Sequence, residues 1–243
     1  MRTLMILTLA LLLMLSCSRK ESRVKAEEDL TPPELLELAD QYYQQGNSEK
    51  AFATYSIIYE DFPDSREYID AVIGLARTYN DLGKYEKGMS MLYDLLRENM
   101  MPQKVPQIYN ELAHYYEVNA GVSSVTGISD EQTDFLEAID YYEKAVSYPN
   151  SDDQEAKSFA QYKIGEIYLK LGRFGDAAVA LKTTADTYPE TKWAVESRKQ
   201  LQEMRDSARK VIQSTQYPDS ARGVENFGGS DTLQSQPPDT SNF

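Results

Sequence analysis

Few side chains in this sequence could do chemistry, and their placement narrows what that chemistry could be. There is one histidine, His114, and one cysteine, Cys17, among 243 residues. A zinc site of cysteine and histidine ligands needs three or four such residues, and a Cys–His nucleophile needs both at one place. Cys17 follows an apolar N-terminal run, whereas His114 sits in "LAHYYE" within a helical pattern. A Ser–His–Asp arrangement could use only His114, and no glycine-flanked serine turn exists to hold the nucleophile. Acid pairs such as Glu27–Glu28 and Asp152–Asp153 fall in charged links, where carboxylates remain solvated. Gly172 and Gly175 form a Gly-x-x-Gly, but a phosphate cradle needs a strand before the loop and a lysine at the helix entrance. The residue types therefore predict no catalysis, cofactor or metal. An envelope enzyme with a helical body remains as an alternative, with Glu117 and Glu166 as the carboxylates to test.

Charge restricts partners next. Lysine and arginine total 25 against 39 acids, a net of −14. That balance repels nucleic-acid phosphates, so no nucleic acid is expected. It also disfavours adsorption of the folded body to an anionic bilayer. The start, "MRTLMILTLALLLMLSCSRK", carries Arg2 and then an apolar run from Leu4 to Leu15. Twelve helical residues rise roughly 18 Å, short of a hydrocarbon core of about 30 Å, which favours an export signal over a spanning helix. The stretch "LMLSC" resembles the lipobox of bacterial lipoproteins, with Leu13 to Ser16 ahead of the acceptor Cys17. That resemblance implies diacylglycerol on the thiol, cleavage before Cys17 and acylation of the new amine. Met14 and Leu15 depart from the commoner leucine and small residue, and a plain signal peptide with an incidental cysteine is the alternative. Two or more acyl chains would hold a protein on a membrane where one binds marginally. The implied location is the bacterial cell envelope, lipid-anchored at the outer membrane and facing the periplasm, with which Ser18 is compatible. The expected parts are a signal peptide (1–16), a lipidated tether (17–30), a folded body (31–213) and a disordered tail (214–243).

The body repeats one pattern. In "TPPELLELADQYYQQGNSEKAFATYSIIYEDFPDS", Leu35, Leu38, Ala39 and Tyr42 share a helical face. Thr31 suits an N-cap with Pro32 and Pro33 in the first turn, Gly46 interrupts, and Ala51, Tyr55 and Ile58 resume the pattern. The same order returns with Ala76, Tyr79, Gly83 and Gly88, then Ala113, Tyr116 and Ala138, then Gly165, Tyr168, Gly172 and Ala177. Repeats fall at about 32–65, 69–102, 106–152 and 158–191, with starts 37, 37 and 52 residues apart. Small residues on both helices of each unit predict close approach, and Tyr42, Tyr79, Tyr116 and Tyr168 are expected to fill the remaining gap. Gly172, like Gly46 and Gly83, is expected to take a left-handed turn between two helices. An amphipathic helix over 192–213 is expected to cap the open end, with Trp193, Ala194, Leu201, Met204 and Ala208 inward.

These positions resemble the tetratricopeptide repeat family, a 34-residue helix–turn–helix unit. The expected fold is all-α: a solenoid of four such repeats plus a C-terminal capping helix. The resemblance implies a concave groove lined by the first helix of each unit. Carried over by position, its lining is Leu36, Asp40, Tyr43 and Gln44, then Ile73, Arg77, Asn80 and Asp81. The later units contribute Asn110, His114 and Glu117, then Tyr162, Glu166, Leu169 and Lys170. Protein or peptide partners are implied. The architecture is also similar to the lipoprotein of the outer-membrane barrel assembly machinery, which makes such assembly, or another envelope complex, an alternative role. The third unit departs from the repeat: about 13 extra residues in "EVNAGVSSVTGISDEQTDFLEA" read as a loop, with a capping box over Ser129–Gln132. Val122, Val125 and Ile128 make that loop more apolar than a solvated connector needs; a tolerated insertion on the solenoid rim is the first reading and a partner-contacting loop the alternative.

Overall fold

The computed structural model describes residues 30–98, 101–126 and 130–216. Cys17, the signal segment, the tether before Leu30 and the tail beyond Gln216 lie outside these residues. Among them are nine α-helices: α1 (Pro32–Gln44), α2 (Ser48–Asp61), α3 (Tyr68–Asp81), α4 (Tyr85–Glu98), α5 (Val105–Thr126), α6 (Glu131–Ser147), α7 (Gln154–Lys170), α8 (Phe174–Thr187) and α9 (Lys192–Gln216). A short 3-10 turn, Pro102–Lys104, leads into α5. Consecutive helices pack in antiparallel pairs, and the first helices also touch in succession, α1 to α3, α5, α7 and finally α9. This is the all-α solenoid of four hairpins and a terminal helix that the repeats predict, with no strand among the described residues.

Local signals set the helix ends. Thr31 donates its backbone N–H to Glu34 Oε2 at 2.9 Å, and Pro32 and Pro33 occupy a turn that needs no further donors. Gly46, Gly83 and Gly172 have φ of 73°, 70° and 70°. The N–H after each glycine returns to a tyrosine carbonyl five residues back: Asn47 to Tyr42 at 2.9 Å, Lys84 to Tyr79 at 2.8 Å and Arg173 to Tyr168 at 2.8 Å. This is the Schellman closure, for which a residue without Cβ is the cheapest choice. Gly175 lies inside α8 without such a conformation, so the Gly-x-x-Gly is a helix reversal.

Packing within each hairpin follows the small residues. Ala39, Ala51, Ala76, Ala113, Ala138 and Ala177 are wholly buried. A methyl built at Gly88 would lie 2.8 Å from Ala76 O, and one at Gly165 would lie 2.8 Å from Leu181 Cγ. Three continuous clusters result, one between each neighbouring set of hairpins. Tyr55, Leu75 and Ile58 belong to the first, Val72, Leu92 and Leu112 to the second, and Tyr142, Ile164 and Ile167 to the third. Each hairpin thus completes its core only against the next.

Three expectations are corrected. Tyr42, Tyr79, Tyr116 and Tyr168 are half-buried; the tyrosines that fill the interior are Tyr55, Tyr115 and Tyr142. Tyr42, Tyr116 and Tyr168 pack at the margins of these clusters, and Tyr116 also stacks on Tyr141 at 5.3 Å. The third unit's extra residues do not form a loop as far as Thr126: α5 continues to that residue, and α6 is also long. Wholly buried Ala120 supplies the reason, since it packs in one cluster with Phe135, Ala138 and Ile139 of α6. Tertiary contact there outweighs the weak helix propensity of "GVSSVT". Val125 is exposed, while Ile128 and Ser129 lie outside the described residues; the N-cap of α6 is Asp130, which accepts from Thr133 Oγ1 at 2.8 Å. Finally, α9 seats Ala194 and Ser197 fully, Leu201 and Met204 partly, and leaves Ala208 exposed. The helix outruns the body it covers.

Candidate functional site

The first helices present one face to a cavity of about 570 Å³ that runs from α1 to α9. Tyr43 stands at one end, Arg77 follows on α3, Asn110 and His114 on α5, and Phe159 and Trp193 close the far end. Helical spacing explains the alignment, since residues three or four apart share a face.

Arg77 and Glu111 form the charged centre of the floor. Arg77 Nε donates to Glu111 Oε1 at 3.0 Å, and the guanidinium lies 5.2 Å from the Tyr43 ring centroid. The adjacent Glu111 carboxylate pushes the Arg77 pKa further up, so the cation is held charged. Burial, reinforced by Asp81, raises the Tyr43 hydroxyl to about 12, so it stays a neutral donor at ordinary pH. Next to them Asn110 Nδ2 donates to Ala156 O at 2.9 Å, while its buried Oδ1 has no hydrogen-bond partner. Asp153 caps α7 by accepting from Ala156 N at 2.9 Å and also accepts from Gln107 Nε2 at 2.6 Å. These bonds tie the third hairpin to the fourth across the groove floor. At the far end Trp193 packs on Phe159 at 4.8 Å and on Tyr162 at 5.1 Å, with Lys192 Nζ 4.6 Å from its ring.

The fifteen residues assigned to the groove from sequence separate into groups. Tyr43, Arg77, Asn110 and His114 line the cavity together. Asp40 and Gln44, with Leu36, line a separate depression of about 480 Å³ on α1. Asp40 there accepts from the Tyr55 hydroxyl. Ile73 and Asn80 are buried between hairpins. Asp81 accepts from Ser48 Oγ at 2.9 Å.

Glu117, Tyr162, Glu166 and Lys170 join a polar cluster that locks α5, α6, α7 and α9 together. Glu117 Oε1 accepts from Lys163 Nζ at 3.0 Å and Lys170 Nζ at 2.7 Å, and Glu117 Oε2 from the Tyr142 hydroxyl at 3.2 Å. Glu166 accepts from Lys163 and from Tyr162, both at 3.0 Å, and Gln200 Nε2 donates to the Tyr162 hydroxyl at 3.0 Å. Burial alone would push the Glu117 carboxyl up, but Lys163 and Lys170 outweigh it and hold it below the usual range. Leu169 turns instead toward a trough beside α9.

Sequence reasoning missed Gln107, Glu111, Phe159, Lys192 and Trp193 in the groove. A signal existed: Gln107, Glu111 and Phe159 stand one turn before Asn110, His114 and Tyr162, and Trp193 stands one repeat length of 34 residues after Phe159. Trp193 was expected under the cap, whereas α9 occupies the place of a fifth first helix and brings it to the groove. Among the described residues no group of three His, Cys, Asp or Glu side chains could hold a metal ion, and no helix is long and apolar enough to cross a membrane.

The tetratricopeptide repeat family model matches residues 35–65 and 159–191, the first and fourth hairpins. No curated protein matches. Among solved structures, the TPR-like repeats of a Podosopora anserina kinesin light chain protein share 16% identity, covering 81% of this chain and 99% of that one, with a TM-score of 0.49. The protein MamA shares 18% identity over 74% of this chain and 98% of its own, with a TM-score of 0.42. The first and fourth hairpins match the tetratricopeptide repeat model, within an all-α solenoid of four hairpins and a terminal helix.

Proposed function

We propose that this protein is a non-catalytic, lipid-anchored scaffold of the bacterial cell envelope that grips an extended protein or peptide segment in the groove between Tyr43 and Trp193. The observation that carries the reading is the groove's lining. Successive first helices supply three aromatic side chains, Tyr43, Phe159 and Trp193, around polar Gln107, Asn110 and His114. Aromatic anchors give contact area at small entropic cost, and polar groups between them suit the backbone of a bound segment. The buried Asn110 Oδ1 without a partner gives a ligand N–H a bond to make, provided the floor opens slightly. Repeats of this kind serve protein–protein interaction generally. The lipobox-like Cys17 supports anchoring, with the body facing the periplasm from the outer membrane.

Trp193 is the only tryptophan, so its fluorescence reports on the groove directly. The test is capture of envelope proteins by the purified full chain, followed by titration of peptides from any captured protein against Trp193 emission. Binding should shift that emission and weaken at least tenfold, about 1.4 kcal/mol, in Tyr43→Ala/His114→Ala. Capture of the same proteins with equal affinity by the double variant would overturn the groove assignment. Anchoring has a separate readout: Cys17→Ser should release the protein from membranes, and unchanged retention would refute lipidation there.

A further inference from the structure

A second concavity lies away from the groove. Leu169 at the end of α7, Phe174 at the start of α8, and Met204, Ala208 and Val211 on α9 line a trough of about 580 Å³. Phe174 is 64% exposed and Val211 62% exposed, although both belong to apolar lining. Among the described residues, α9 holds the place of a first helix and no second helix covers this face. Its volume is in the range that takes a few side chains.

We propose that the stretch Val224–Phe227 of the same chain folds back into this trough. Reach permits it. From Gln216 back to Met204 the helix covers roughly 18 Å, and eight residues from Gln216 to Val224 span up to about 26 Å. Pro218 and Gly223 supply turn chemistry in between. In "GVENFGG" two apolar side chains three residues apart stand between glycines, whereas Tyr217, Leu233 and Phe243 stand singly among polar residues. Charge agrees. Helix α9 carries six basic residues and three acids, a net of +3, in an acidic protein. Residues 217–243 carry Asp219, Glu225, Asp231 and Asp239 against Arg222, a net of −3. Glu225 falls between the two apolar anchors, and exposed Lys210 stands one turn beyond Ser207 of the lining.

Tethering selects this occupant over a second copy. A short linker gives an effective concentration on the order of millimolar, far above that of free protein at micromolar levels. A second α9 would also bring +3 against +3, which opposes docking. Covering the trough hides the apolar end of the solenoid, the device by which terminal repeats avoid association.

The experiment is disulfide trapping in the full chain, held in detergent with Cys17→Ser. Ser207→Cys paired with Asn226→Cys, which leaves Val224 and Phe227 in place, should form an intramolecular disulfide under mild oxidation, far faster than Ser207→Cys paired with Asn242→Cys. Equal rates for the two pairs would overturn the proposal, and a crosslinked dimer would assign the trough to a second copy instead. Independently, Phe227→Asp without added cysteines should raise binding of an apolar fluorescent dye several-fold and speed amide exchange around Phe174 and Met204. Unchanged dye binding and exchange would also overturn it. The groove reading is untouched by either result, because Trp193 emission and partner capture measure the other face.

Discussion

Substituting Gly88 by alanine tests how closely the two helices of a hairpin approach. A methyl there would lie 1.6 Å from Tyr115 Oη and 2.8 Å from Ala76 O. The Tyr115 hydroxyl donates to that same carbonyl from a position only 3% exposed. The ring must therefore move, which breaks a buried hydrogen bond and separates α5 from α3. Overpacking of this kind costs about 1–3 kcal/mol, and a buried polar pair left unsatisfied about 1–3 kcal/mol more. Alanine returns about 1 kcal/mol through its better helix propensity, leaving a net loss of about 3 kcal/mol. Urea unfolding followed by circular dichroism should show the midpoint falling by about 1–2 M at unchanged slope. The same substitution in a Tyr115→Phe background removes the oxygen at 1.6 Å but leaves the ring carbon Cζ at 2.7 Å and the carbonyl at 2.8 Å. Its cost there should shrink to about 1 kcal/mol, the size of a residual contact. A Gly88→Ala protein as stable as the original, or an equal cost in both backgrounds, would refute the close-approach argument.

Two further expectations follow from the same geometry. Glu117 is held below the usual carboxylate range by Lys163 and Lys170, so its contribution to stability is present above the unfolded-state value and lost as pH falls through the lower folded value. Unfolding free energy should therefore decline with acid below about pH 4.5, and Glu117→Gln should flatten that decline; an unchanged slope would exclude Glu117 as its source. Gly172→Ala should cost about 1–2 kcal/mol because its φ is 70°, whereas Gly175→Ala, with nothing within 4 Å of the added methyl, should be neutral or stabilising. Equal thermal midpoints for the two variants would contradict the helix-reversal reading.

Much of the fold was legible because it depends on neighbours in sequence. Glycines 46, 83 and 172 mark reversals whose hydrogen bonds close within five residues, and Ala39, Ala76 and Ala113 recur at the position where helices meet. The groove was legible only in part. Asn110 and His114 reach it, but Glu117 turns toward Lys163 and Lys170, partners 46 and 53 residues away. Position in a repeat gives a helical face; it does not give the ion pair across it. Likewise "GVSSVT" reads locally as loop, and only Phe135 and Ile139 packing beside Ala120 account for its helical state.

The sequence by itself determined that helices pair, where they turn and that no hairpin could stand alone, because propensity, capping and apolar period act over a few residues. Which side chains open to a partner was decided by tertiary structure. Stacking set α9 in line with the earlier first helices, carried Trp193 into the groove, and closed Ile73 and Asn80 inside the body. Burial and charge pairing depend on what the next hairpin brings alongside, and that is fixed only when the units stack.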